Sequence, residues 1–135
     1  MKIFKNISIP KKYKRSSIAI GNFDGLHKGH LKVFDKAKKL AKKRKLKFGI
    51  LTFQPLPIMF FNKKIKNYRL SSENQKLKLF EKYGVDFVIK IKFNKKFSKT
   101  SAKNFIKMII YKKINPKLIF VSNNFKFGNK RKGNV

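Results

Sequence analysis

Ser17-Ile18-Ala19-Ile20-Gly21-Asn22-Phe23-Asp24-Gly25-Leu26-His27-Lys28-Gly29-His30 is the stretch from which the rest of the chain is read. It starts as a short β-branched apolar run, Ile18 to Ile20, breaks at Gly21 and Gly25, and opens into an amphipathic helix after Gly29. A strand, a glycine turn and a helix in that order place backbone N–H groups and the positive end of a helix dipole at the carboxyl edge of a sheet, where an anion such as phosphate is favoured. Both histidines of the chain, His27 and His30, fall three residues apart at the helix entrance, so their side chains share one side. Strand–turn–helix joints also occur in α/β proteins with no ligand, and an exposed histidine is usually idle. Two histidines at this spacing also suit zinc, although the chain has no cysteine and no second cluster to complete a tetrahedral site.

Outward from this joint, strands and helices alternate. Met1 to Phe4 reads as a short edge strand, Pro10 to Arg15 as a basic connector, and Ile18 to Ile20 as the first core strand. From His30 to about Arg44 the apolar positions Val33, Phe34, Ala37, Leu40 and Ala41 keep three-and-four spacing, which predicts a helix with a lysine-coated outer face. Lys47 to Thr52 reads as the next strand, and Phe53 to Arg69, with Pro55 and Pro57, as a long connection of the kind that often carries function. Ser72 and Gln75 have the form of a capping box, Glu73 lies in the first turn and Gly84 at the stop, predicting a helix over 72–83. Val85 to Ile91 is β-branched and aromatic, hence a strand. Ser101 caps a helix to about Lys113, ended by Asn115-Pro116, and Leu118 to Val121 is the last strand. This alternation predicts an α/β fold with a doubly wound parallel sheet, whose ligands bind outside the carboxyl ends of the strands.

Gly21-x-Phe23-Asp24-Gly25-x-His27-x-Gly29-His30 resembles the G-x-F-D-G-x-H-x-G-H signature of the prokaryotic FAD synthetases, the adenylyltransferase half of bifunctional riboflavin kinase/FMN adenylyltransferases. Asn124-Phe125-Lys126-Phe127-Gly128 is similar to the N/D-F-R-F-G motif of that family, Thr52-Phe53-x-Pro55-x-Pro57 to its T-F-x-P-H-P, Arg69-Leu70 to its R-L-T, and Lys76 to Asp86 to its K-x-x-x-L-x-x-x-G-V-D segment. The order is collinear over nearly the whole chain. The resemblance implies a Rossmann-like nucleotidyltransferase domain that joins ATP and FMN to give FAD and pyrophosphate, with Mg2+ accompanying ATP. It implies that Gly21, Asn22, Phe23, Asp24, Gly25, His27, Gly29 and His30 hold ATP, with His27 and His30 as the catalytic pair on its phosphates. Pro55, Pro57, Asn124, Phe125 and Phe127 are then the flavin-binding residues. Asp24 is left between two roles, a turn residue bonding local amides and one linked to the metal.

Two departures bear on the flavin side: Leu56 stands where the family usually has histidine, and Ser122-Asn123 where a glycine followed by an acidic residue is more common. A C-terminally incomplete domain is also expected, since the sequence contains neither the S-S-T-x-I-R segment that completes the family's ATP site nor the covalently linked riboflavin kinase domain of the full-length family protein. A sheet ending at Val121 is expected to leave an edge strand unpaired and apolar surface uncovered.

Composition sets the outer bounds. At 135 residues, 41% hydrophobic and with fifteen phenylalanines, the chain can bury a core. No run approaches a membrane span, the N-terminus lacks the apolar stretch of a secretory signal, and a cytoplasmic protein with no membrane partner is the expectation. The formal charge of +32 comes with only four arginines (Arg15, Arg44, Arg69, Arg131), the other basic residues being lysines spread along the chain. Specific nucleic-acid readers more often concentrate charge on one element and use arginine, so no specific nucleic acid is expected. The diffuse charge attracts polyanions non-specifically at low salt and steers anionic ATP and FMN towards the protein. A different nucleotidyltransferase using the same histidine turn, and a basic nucleic-acid-binding module, stand as the alternatives.

Overall fold

In a computed structural model, residues 1–23, 28–54, 61, 73–122, 126–128 and 132–134 are described, with residues 126 and 127 as backbone only. Five parallel strands form one sheet. They are β1 (Lys2–Phe4), β2 (Ser17–Ile20), β3 (Phe48–Gln54), β4 (Phe87–Lys92) and β5 (Leu118–Phe120), in the spatial order β1-β4-β3-β2-β5. The helices are α1 (Lys28–Lys43), α2 (Glu73–Lys82), the single turn α3 (Lys95–Ser98) and α4 (Ala102–Asn104). A π-helical stretch, Phe105–Ile114, continues α4 directly. Two short strands, β6 (Lys126–Phe127) and β7 (Gly133–Asn134), pair antiparallel as a separate ribbon that the sequence pattern did not announce.

β2 is buried along its whole length and β3 over six of its seven residues, the continuous burial expected of central strands covered on both faces. One face carries Ile18, Ile20, Leu51, Phe53, Phe87, Ile89, Phe105, Ile110 and Ile114, which joins the sheet to the π-helical stretch. The other carries Ala19, Phe34, Ala37, Ala41, Ile50, Phe80 and Val88, which joins it to α1 and α2. Gly49 sits where β3 needs no side chain at all. A Cβ there would lie 2.3 Å from Cζ of Phe87, whose ring fills the space.

Observed boundaries differ from the expected ones for local reasons. α1 is described from Lys28, so Lys28 and Gly29 join His30 in the helix rather than preceding it. First-turn N–H groups have no intrahelical acceptor, which is why glycine is tolerated there. β4 starts at Phe87 rather than Val85, because the Asp86 carboxylate accepts from the Phe48 N–H at 2.8 Å and closes the ladder before the strand begins. β3 runs on to Gln54, taking Phe53 and Gln54 from the expected long connection. Ser101 caps as expected, its Oγ accepting from the Asn104 N–H at 3.1 Å, but the helix then widens, and Asn115 closes it with a left-handed φ of 49° and an N–H bond to Ile110 five residues back. Ser72, the Ser72–Gln75 box and Arg69-Leu70 lie outside the described residues. At the outer edge of β5, where no further strand is paired among the described residues, Ile119 is 45% exposed.

Candidate functional site

Because all five strands are parallel, their carboxyl ends share one edge. From β2 the chain crosses to β3 on one side, and after β4 it returns to β5 on the other side of β2. The point of reversal is therefore between β2 and β5, and in open α/β sheets the crevice at such a switch point is where ligands bind. The glycine–histidine turn follows β2, the Asn124–Gly128 motif follows β5, and Pro55 follows β3 directly. β2 lies between β3 and β5, so the strands that precede the two segments expected to bind flavin flank the strand that precedes the histidine turn.

The turn is fixed to its neighbour before it reaches the helix. Gly21 N–H donates to the Leu51 carbonyl at 3.1 Å, and Thr52 Oγ1 donates to the Asn22 carbonyl at 3.4 Å. Phe23 adopts a left-handed φ of 53° and is buried, with its ring over Gly21, where a Cβ would come within 3.1 Å of it. The same ring packs edge-on against Phe34 at 4.7 Å between centroids and against His30 at 5.2 Å. Phe23, expected among the ATP-binding residues, thus has its side chain in the core; what it can offer a ligand is its backbone, and it holds the ring of His30 besides. Asn22 and Gly29 are exposed and His30 half-buried in the first turn of α1, where the helix dipole favours an anion.

Asp24, Gly25 and His27 lie outside the described residues, as do Pro55, Leu56, Pro57, Asn124 and Phe125; Phe127 is described only as backbone of β6. Gly128, closing the second motif, is described. Its φ is +80°, and a Cβ would stand 2.5 Å from the backbone nitrogen of Ala102. The second motif therefore ends in backbone-to-backbone contact with the start of α4.

One ionic feature near this edge escaped the sequence reading. Lys90, the inner of the two lysines in the strand Phe-Val-Ile-Lys-Ile-Lys, pairs with Glu73 at 3.0 Å and ties β4 to the first turn of α2; both side chains are largely covered. Its β3 partner in register is Thr52. Among the described residues no group of three or more His, Cys, Asp or Glu gathers as a metal site, and no helix is long and apolar enough to cross a membrane.

The fold defines a class: a parallel α/β protein with a histidine at the start of the helix that follows the strand beside the switch point of its sheet. A family model described as FAD synthetase matches residues 9–135. The chain is 39% identical over 136 residues to the bifunctional riboflavin kinase/FMN adenylyltransferase of Buchnera aphidicola subsp. Schizaphis graminum, covering 100% of this chain and 44% of that protein. To the protein of the same description from Escherichia coli K12 it is 33% identical over 116 residues, covering 86% and 37%. A solved structure described as a macrolide-efflux protein from Streptococcus pneumoniae superposes with a TM-score of 0.78 at 25% identity, over 96% of this chain and 43% of that one. The chain belongs to the FAD synthetase family, and it spans less than half the length of these curated relatives.

Proposed function

We propose that this domain transfers the adenylyl group of Mg-ATP to FMN, giving FAD and pyrophosphate. The observation that supports the reading is that β2 and β5, the strands that precede the two family motifs, are parallel neighbours whose carboxyl ends meet at the switch point of the sheet. In this reaction an oxygen of the FMN phosphate attacks the α-phosphorus of ATP. The bond from that phosphorus to the α,β-bridging oxygen breaks, and pyrophosphate leaves with the electron pair. No protein nucleophile is needed, so catalysis rests on alignment and on stabilising charge as it moves to the leaving group. His27 and His30 are assigned to the ATP phosphates as charge-assisted donors, reinforced by the N-terminus of α1, an effect of about 0.3–1 kcal/mol for the dipole alone. Gly21, Asn22, Gly25 and Gly29 supply backbone around the phosphates, and Pro55, Pro57, Asn124, Phe125 and Phe127 the flavin side. Mg2+ enters as part of the substrate complex, and a cytoplasmic setting suits both substrates. The curated relatives combine this activity with riboflavin kinase. In the family protein we assign the adenylyl-transfer half to the residues aligned here.

FMN fluorescence titrated with the 135-residue chain, with and without Mg-ATP, tests the assignment. Saturable quenching that responds to Mg-ATP is expected. No response to FMN, together with retention on a polyanion that vanishes steeply with salt, points to the nucleic-acid alternative instead.

A further inference from the structure

The opposite edge of the sheet holds a second concave site. The segments that lead into β2, β3 and β4 converge there on a cavity of about 460 Å³ that is broadly open to solvent. Lys12, Lys14, Arg15, Lys45 and Lys47 line it, with Asp86 the one acid. Lysine covers this protein, so concentration is what matters: five of the eight lining residues are basic, against 37 of 135 in the chain, and one of them is among its four arginines. The lone carboxylate is already engaged by the Phe48 N–H, and none of the five cations makes an ion pair among the described residues.

The walls are held in place by the fold. Ser17 N–H donates to the Lys47 carbonyl at 2.9 Å and Arg15 N–H to the Asn115 carbonyl at 2.8 Å. Lys12 and Lys47 both set their Nζ over the buried Tyr13 ring, at 5.3 and 5.5 Å from its centroid, which restrains two of the charges. Five cations against one carboxylate leave a surplus of four, and a chain of three phosphates carries roughly four negative charges near neutral pH. A cavity of this size with matched charge suits a compact oligophosphate better than the backbone of a long nucleic acid, which favours an extended basic stripe. We propose that this cavity is a second anion site that takes the polyphosphate group of a small phosphorylated ligand. It is separated from the glycine–histidine turn by the length of β2, on the order of 15 Å, and stands independently of the adenylyl-transfer reading.

Site-resolved amide spectra of the full chain, titrated with inorganic tripolyphosphate at about 0.15 M salt, distinguish the two edges. Saturable shifts at Arg15, Lys45, Lys47 and Asp86 are expected. In Arg15→Gln/Lys45→Gln/Lys47→Gln, whose three side chains are exposed, the midpoint should rise about tenfold or more. The equally charged Lys36→Gln/Lys39→Gln/Lys78→Gln, on the exposed surfaces of α1 and α2, should stay within about twofold of the parent. Absence of shifts at the cavity, or an equal loss in the two variants, overturns the proposal. So does a thymidine 12-mer that saturates the same amides at a lower phosphate concentration and loses that advantage in the cavity variant, since the cavity is then a nucleic-acid contact.

Discussion

The ring of Phe23 stands edge-on to the imidazole of His30, centroids 5.2 Å apart and planes at 78°, so a core residue sets the pose of a residue at the ligand edge. Phe23 reaches that position with a left-handed backbone and packs on Phe34 and Phe80 as well. Phe23→Leu keeps most of the buried volume and should cost about 1–2 kcal/mol in denaturant unfolding, from the lost aromatic contacts. ATP affinity should fall with it, because leucine presents no ring edge to His30. Unchanged ATP affinity in a folded Phe23→Leu variant removes the link between the two rings.

His30→Ala should weaken Mg-ATP binding by about tenfold, the worth of one charge-assisted hydrogen bond to phosphate. Its half-buried, first-turn position makes a small effect on unfolding the expectation. His27→Ala should behave alike. Calorimetric titration with Mg-ATP checks both, and parent-like affinity in the two variants ends the phosphate assignment.

Gly128→Ala places a methyl against backbone that cannot move aside, at a φ of +80° that alanine rarely adopts. We expect local strain of about 1–3 kcal/mol, read as a loss of FMN affinity larger than the change in midpoint of unfolding, because the second motif and not the sheet is displaced. Adding Ala102→Gly should not restore binding, since the nearest atom is the nitrogen of residue 102 and not its side chain. Recovery in the double variant places the conflict elsewhere.

Gly49→Ala tests the sheet itself. Its methyl meets the Phe87 ring across the β3–β4 ladder and should destabilise by about 1–3 kcal/mol. Phe87→Leu in the same chain should recover part of that loss, giving a favourable coupling in a double-mutant cycle measured by urea unfolding. Strict additivity of the two substitutions shows that the ring is not what excludes the side chain.

Much of this was legible in the residues, because hydrophobic period and glycine position are local signals. The runs around Ile18, Ile50 and Val88 marked the central strands, and the spacing of Phe34, Ala37 and Ala41 marked the buried face of α1. What the pattern missed depended on contacts between distant segments. Asp86 was read as part of a strand because nothing local reveals that its carboxylate takes the Phe48 N–H. The widened helix over Phe105–Ile114 keeps the apolar residues of an ordinary one, and it buries Phe105, Ile110 and Ile114 against the sheet. Phe23 looked like a site residue by its motif, whereas burial against Phe34 shows its side chain serving the core. The lysines looked diffuse along the chain, and only the convergence of three strand entries gathers five cations around one cavity.

The central claim is transfer of an adenylyl group to FMN at the carboxyl edge, and the most direct measurement follows the label itself. The 135-residue chain, in excess over FMN, is mixed with Mg-ATP labelled at the α-phosphorus, and the flavins are separated at intervals. Label should enter FAD with one pyrophosphate released per FAD formed, faster in a version extended through an S-S-T-x-I-R segment than in the 135-residue chain, and His27→Ala and His30→Ala should each slow its appearance in the extended version. FMN recovered unlabelled after prolonged incubation with the extended version, or label appearing at the parent rate in both histidine variants, contradicts the account.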